Sequence, residues 1–363
     1  MFKLKNTKKY KKIFFFILAM AHSIVLISSC NKKGATPNTP PKTYDVYVAG
    51  EVSNGINDVQ TPTYWKNGVA VKLSNGTYEA SANSIVVVGN DVYVAGGDGG
   101  RAKYWKNGVV TYLSDGTNYA SATSIAVAGT DVYVAGNEFN GIDIAKYWKN
   151  GVATNLSNGS YNAFANSIVV VGNDVVGKDV YIAGKEFNGT YITGTNYVAK
   201  YWKNGVATNL SGGTTVANAT SIAVAGTDVY VAGDEGVVAD YVIGVPTYWK
   251  NGVGTYLADL TNYNGIAEAV SIAVVGTDVY VAGYDGGIAK YWKNGVATDL
   301  NYGTNYITTT SIAVVGTDVY VAGYAYNASK NVNVAMYWKN GVATILSDST
   351  TNAYANSIFI IPK

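Results

Sequence analysis

The chain has 363 residues, room for one large domain or two average ones, with 41 Gly and 31 Tyr but only 1 His and 1 Cys. Charged residues are 14% and hydrophobic residues 48%, which excludes a disordered chain, and a single cysteine excludes an internal disulfide framework. His22 and Cys30 both lie near the N-terminus, so the body of the chain cannot build a Ser–His–Asp triad, a Cys–His pair or a classical zinc site, and neither cofactor nor metal is expected.

Residues 1–12 carry six lysines and no acid, and an apolar run from Ile13 to Ile27 follows. A basic start, a short apolar core and small residues make a secretory signal pattern over 1–29. The run is about 15 residues, short for a membrane span of ~20. It ends Ile27-Ser28-Ser29-Cys30, which resembles the bacterial lipobox, whose cysteine is acylated and becomes the new N-terminus. Cys30 is therefore the expected lipidation site, carrying palmitate-type acyl chains. Residues 30–43 are polar, with Pro37, Pro40 and Pro41, and read as a flexible tether. Residues 44–363 then hold 17 basic and 24 acidic side chains, a net −7, which argues against a nucleic-acid partner.

From residue 44 onward internal repetition dominates. All seven tryptophans (Trp65, Trp105, Trp148, Trp202, Trp249, Trp292, Trp338) sit in Tyr-Trp-Lys-Asn-Gly, at spacings of 40, 43, 54, 47, 43 and 46. A second motif, Asp-Val-Tyr-Val-Ala-Gly (once with Ile), starts at Asp45, Asp91, Asp131, Asp179, Asp228, Asp278 and Asp318. A third, Ser-Ile plus aliphatics, starts at Ser84, Ser124, Ser167, Ser221, Ser271, Ser311 and Ser357, and a fourth follows each Asn-Gly, as in Val152–Ser157. Each motif is short, rich in Val, Ile, Tyr and Trp, and bounded by Gly, Asn, Asp or Thr, which predicts a strand. Asn-Gly predicts a type I′ hairpin turn, because both residues tolerate positive φ. Each repeat is thus an antiparallel meander of strands a (Ser-Ile), b (Val-Tyr-Val-Ala-Gly), c (Tyr-Trp-Lys) and d (Val-Ala-Thr-x-Leu).

Four strands per ~40–45 residues is the period of a propeller blade. Near-continuous apolar runs in a and b predict sheets buried on both faces. The first repeat lacks strand a, and a spare a strand, Ser357–Ile361, ends the chain. Pairing the two closes a ring without open edges, so the expected fold is an all-β, seven-bladed, monomeric propeller over 44–363. The repeats resemble those of uncharacterised propeller lipoproteins of Bacteroidota-like bacteria. That resemblance implies a lipid-anchored protein of the bacterial cell envelope, at the outer membrane.

Most repeated residues read as scaffold. Adjacent Tyr and Trp of strand c point to opposite faces, so one ring should pack against each neighbouring blade. The strand-a serines are expected to bond neighbouring loops, and the turn Asp residues (Asp91, Asp131, Asp228, Asp278, Asp318) to cap turn amides. Gly172–Asp179 lengthens one a–b hairpin.

Function is expected at the end bearing the b–c and d–a loops. The b–c connections differ in length: 14 residues from Gly50 to Tyr64, 8 from Gly96 to Tyr104, 17 from Gly184 to Tyr201. Just after strand b, six repeats carry an acid (Glu51, Asp98, Glu138, Glu186, Glu235, Asp285), and six d–a loops carry Tyr78, Tyr119, Tyr161, Tyr263, Tyr306 or Tyr354. Tyrosines, amides and carboxylates suit a glycan or an envelope protein, so the expectation is a non-enzymatic binding or scaffold module. The alternative is a carboxylate-based glycoside hydrolase or lyase, with Asp234, Glu235 and Asp240 the closest approach to an acid group.

Overall fold

The computed structural model describes residues 43–363, apart from 56–57, 76–79, 174–176, 190–196, 214–215, 240, 259–266 and 304–305. The signal segment, Cys30, the tether, Tyr78, Asp240 and Tyr263 lie outside the described residues. The rest forms seven four-stranded antiparallel sheets arranged as the blades of a β-propeller. Among the described residues no helix is long and apolar enough to cross a membrane.

Blade 1 shows how the ring closes. Its strand order is Ala353–Pro362 (a), Tyr44–Ser53 (b), Gln60–Lys66 (c) and Val69–Lys72 (d). The two ends of the chain therefore pair antiparallel, from Tyr44 opposite Pro362 to Val52 opposite Ala353. The other blades take a, b, c and d consecutively, from Ala80–Val88, Asp91–Asp98, Arg101–Lys106 and Val109–Tyr112 in blade 2 onward.

The core is the set of interfaces between blades. Trp148 of blade 3 packs with Tyr93, Ala95 and Leu113 of blade 2, and Tyr104 of blade 2 packs into the same cluster from the other side. The same arrangement recurs at the seam, where Trp65 and Ile358 of blade 1 meet Tyr320 and Leu346 of blade 7. All seven tryptophans are at most 2% exposed, and Tyr and Trp do face opposite neighbours. A fully buried large side chain contributes roughly 1.5–3 kcal/mol, so the ring of tryptophans is a main source of blade-to-blade cohesion.

Strand a carries two further belts. Each strand-a serine accepts the amide N–H of the isoleucine in the next blade's strand a, at 3.1–3.3 Å, from Ser84 with Ile125 round to Ser357 with Ile85. The partner is thus the neighbouring strand rather than a neighbouring loop. The residue before that serine occupies a β-bulge, and in six blades it is an Asn or Thr whose side chain donates to an alanine carbonyl of the next blade, as in Thr123 to Ala165 (2.7 Å) and Asn83 to Ala122 (2.8 Å); blade 6 has Val270 there instead. The bulge brings strand a so close to strand b that a Cβ at Gly136 would overlap the Ser121 carbonyl, which explains why Val-Ala-Gly ends in glycine in every repeat.

At the other end of each blade the Asn-Gly turns have Asn at φ 50–51° and Gly at φ 82–86°, the type I′ geometry. The Asn Oδ1 accepts the amide of the valine that opens strand b, at 2.8–2.9 Å. Its Nδ2 donates to the turn Asp at 2.7–2.9 Å. The Lys of Tyr-Trp-Lys pairs with the same Asp, at 2.8–3.6 Å. These Asp residues thus bind a side-chain amide and an ammonium instead of capping turn amides. The lengthened hairpin of blade 4 extends this end: Gly172 pairs with Lys178, and the Lys178 ammonium reaches Asp131 of blade 3 at 3.0 Å.

Candidate functional site

The two ends of the propeller differ in kind. The turn end, made by a–b and c–d hairpins, repeats one Asp–Asn–Lys–Tyr network in all seven blades. An open groove of about 520 Å³ between blades 6 and 7, lined by Tyr280, Tyr291, Lys293 and Val296, lies at this end. A groove at the seam of blades 7 and 1 uses the equivalent Tyr320, Tyr337 and Lys339, so its lining is scaffold repeated. The loop end is where blades diverge.

Four of the six loop-end acids are neutralised from within. Asp98, Glu138, Glu186 and Asp285 pair with Lys103, Lys146, Lys200 and Lys290, each two residues before the strand-c tryptophan. These lysines are 2–12% exposed, and the Lys103, Lys146, Lys200 and Lys290 ammoniums also lie within 5.6–6.0 Å of the tryptophan ring centres. Blades 1 and 5 have Thr63 and Thr247 in place of the lysine. Blade 7 replaces the pair by Ala325 and Met336, both fully buried. The acid and the lysine are thus lost together in blade 1 (Val52 and Thr63) and blade 7, whereas blade 5 keeps the acid Glu235 without the lysine, a pattern visible only once the strands are in register.

Register also separates Glu51 from the other five acids. Asp98, Glu138, Glu186, Glu235 and Asp285 stand two residues after the closing glycine of strand b; Glu51 stands one after it. Alternate residues face opposite sides of a sheet, so Glu51 faces blade 2 while the others face back. Its carboxylate accepts from Asn356 Nδ2 (2.7 Å) and from the Ala82 backbone. Burial pushes its pKa up to about 7 against those hydrogen bonds.

The tyrosines are similarly scattered. Tyr119 and Tyr306 directly precede strand a and are 64% and 82% exposed. Tyr161 lies two residues before strand a and rests edge-on against Phe187 at 5.7 Å. Tyr354 is inside strand a, T-stacked on Tyr324 at 4.9 Å.

The position of Glu51 defines a ring the loop-by-loop reading missed. In every blade this residue is paired across to strand a, one step beyond a Gly–Ala pair (Gly–Thr in blade 7). The Gly–Ala step is almost invariant; the next pair differs in all seven blades. It is Glu51–Tyr354 in blade 1 and Asn137–Ser121 in blade 3. It is Lys185–Phe164 in blade 4, Asp234–Asn218 in blade 5 and Tyr284–Glu268 in blade 6. These side chains are half-buried at the inner rim of the loop end, apart from Asn137, which is buried. In blades 4 to 6 they influence one another. The Lys185 ammonium lies over the Phe164 and Tyr197 rings at 5.7 and 5.0 Å, and Tyr284 donates to Glu268 at 2.7 Å. Burial, then repulsion from Glu268, pushes Asp234 up to about 7, opposed by Lys185 and a hydrogen bond from Asn218. Among the described residues no group of three or more His, Cys, Asp or Glu is placed to hold a metal ion.

No protein-family model and no curated protein matches the chain. Among solved structures, the β-propeller domain of the Trilobed protease from Pyrococcus furiosus superposes with a TM-score of 0.51 at 10% identity, over 85% of this chain and 93% of that one. A chain of a Nidogen/Laminin complex aligns over 88% of this chain and 98% of that one, at 8% identity and a TM-score of 0.42. The Pyrococcus domain is described as having an open velcro topology, whereas here the strand Ala353–Pro362 seals the ring onto Tyr44–Ser53. At these identities the likeness is one of fold, and by fold the chain is a seven-bladed β-propeller.

Proposed function

We propose that the protein is a non-enzymatic binding module of the bacterial cell envelope, anchored at the outer membrane by a lipid on Cys30, which recognises a glycan or an envelope protein at its loop end. The observation that carries this reading is the ring of blade-specific cross-strand pairs. Seven near-identical repeats keep identical residues wherever the scaffold needs them. The one paired position that differs in every blade is free of that demand and presents aromatic, amide, hydroxyl and charged groups together, the mixture that ligand sites use. Fold alone does not select a function, so the reading rests on this site.

The test is a glycan array and an envelope pull-down with three multi-site variants. Replacing Lys185, Asp234 and Glu268 by Ala, Asn and Gln should abolish binding of any ligand found. Replacing Glu138, Glu186, Glu235 and Asp285 by Ala probes the outer loop-end acids. Replacing Lys149, Lys203, Lys250 and Lys293 by Ala should leave binding intact. Loss of binding only in the last set would place the site at the wrong end, and release of reducing ends from a bound glycan would replace the binding module by a hydrolase. Cys30→Ser should move the protein out of the membrane fraction.

A further inference from the structure

The described chain enters and leaves the propeller at the turn end. The Lys363 amide donates to the Thr43 carbonyl (2.9 Å), and the Lys363 ammonium pairs with Asp45 at 3.0 Å. Residues 31–42 separate Cys30 from Thr43. Even fully extended, that stretch spans about 45 Å at ~3.5 Å per residue. A path from the inner strands of blade 1 to the loop end must cross strands c and d, ~5 Å apart, and climb a blade roughly 30 Å long. That path takes about 40 Å of the reach, so the loop end could lie on the surface that holds Cys30 only with the tether pulled almost straight. The tether reaches that surface without strain when the turn end faces it.

The turn end also has the chemistry of a surface that rests on lipid. Each c–d turn is followed by a valine about 70% exposed, from 68% at Val69 to 72% at Val296. Large apolar side chains so exposed, at the same corner of every blade, form a ring of apolar tips. The lysine opposite each valine is already paired with its turn Asp, so this end is nearly balanced in charge. The loop-end carboxylates, which an anionic bilayer would repel, lie at the other end.

We infer that the turn end is the lipid-facing surface of the propeller, with the valine-tipped c–d turns at the bilayer interface and the loop end held outward. The inference rests on Cys30 being the membrane attachment point, and its test keeps the two apart. The full chain is coupled through Cys30, its only cysteine, to a maleimide lipid in phosphatidylethanolamine–phosphatidylglycerol vesicles, so attachment no longer depends on acylation in the cell. Lysine acetylation is followed by mass spectrometry on vesicles and in detergent. Lys149, Lys203 and Lys250, 47–48% exposed in the free propeller, should react several-fold more slowly on vesicles, while exposed Lys330 at the loop end is unchanged. A triple variant, Val109→Asp, Val206→Asp and Val296→Asp, should stay coupled and folded and lose the protection. Equal rates on vesicles and in detergent, protection of Lys330 instead, or protection that survives in the triple variant would each overturn the inference. Failure of Cys30→Ser to release the protein in cells would count against the lipoprotein reading alone.

Discussion

Glu51 and Asp234 are the residues whose chemistry the fold alters most visibly. Both are half-buried carboxyls whose desolvation raises their pKa values to about 7, from ordinary values of 4.5 and 3.8. Between about pH 4 and pH 7 the unfolded chain has released these protons while the folded chain still holds them. Stability should therefore fall as pH rises through that window and level off above it. Those shifts correspond to a fall of roughly 3 kcal/mol for Glu51 and roughly 4 kcal/mol for Asp234. Denaturant melts at pH 5 and pH 7.5 should show it, and Glu51→Gln should remove part of the slope; an equal slope in that variant would mean Glu51 is ionised in the fold. The turn Asp residues act in the opposite sense: the ammonium and amide beside them lower their pKa, so the stability they give is lost only as pH falls through their folded values. Neither behaviour was legible beforehand. Glu51 looks like its five counterparts when acids are counted by distance from a motif, and only the two-residue alternation of the strand shows that it faces the other way.

At the scale of single strands, most of the design is readable. The Asn-Gly turns, the Tyr-Trp alternation and the closing glycine of strand b all follow from local backbone and packing rules, and each repeats seven times, which averages out exceptions. The serine of strand a was harder, because its partner is an amide some 40–55 residues away in a different blade. Its role can be measured. Ser221→Ala removes the acceptor of the Ile272 amide (3.2 Å) and leaves that donor without its partner. The expected cost is about 1–3 kcal/mol, the usual penalty for an unsatisfied buried donor. A loss below a few tenths would mean that water replaces the hydroxyl. The inner-rim pairs escaped notice for a related reason: they belong to two strands that are joined only by the register, and neither strand marks them with a motif.

At the scale of the molecule, closure was legible because a spare strand at one end of the chain matched a missing strand at the other. Deleting residues 356–363 removes most of that strand and opens an edge along Tyr44–Ser53. The truncated protein should lose its single cooperative transition or aggregate, and calorimetry against the full chain checks this; an unchanged melting curve would contradict closure by the terminal strands. The sealing strand has a second consequence. Its Ser-Ile pattern is the same one carried by every other strand a, and nothing but chain connectivity ties it to its own blade 1. In a concentrated refolding solution the segment Ala353–Pro362 of one molecule meets the same vacant groove in another, with identical pairing and the same serine belt. Two chains that trade this strand reciprocally make a dimer with every native contact satisfied. Such exchange is favoured by concentration, so folding in sparse company should favour the ring closed by its own terminal strand.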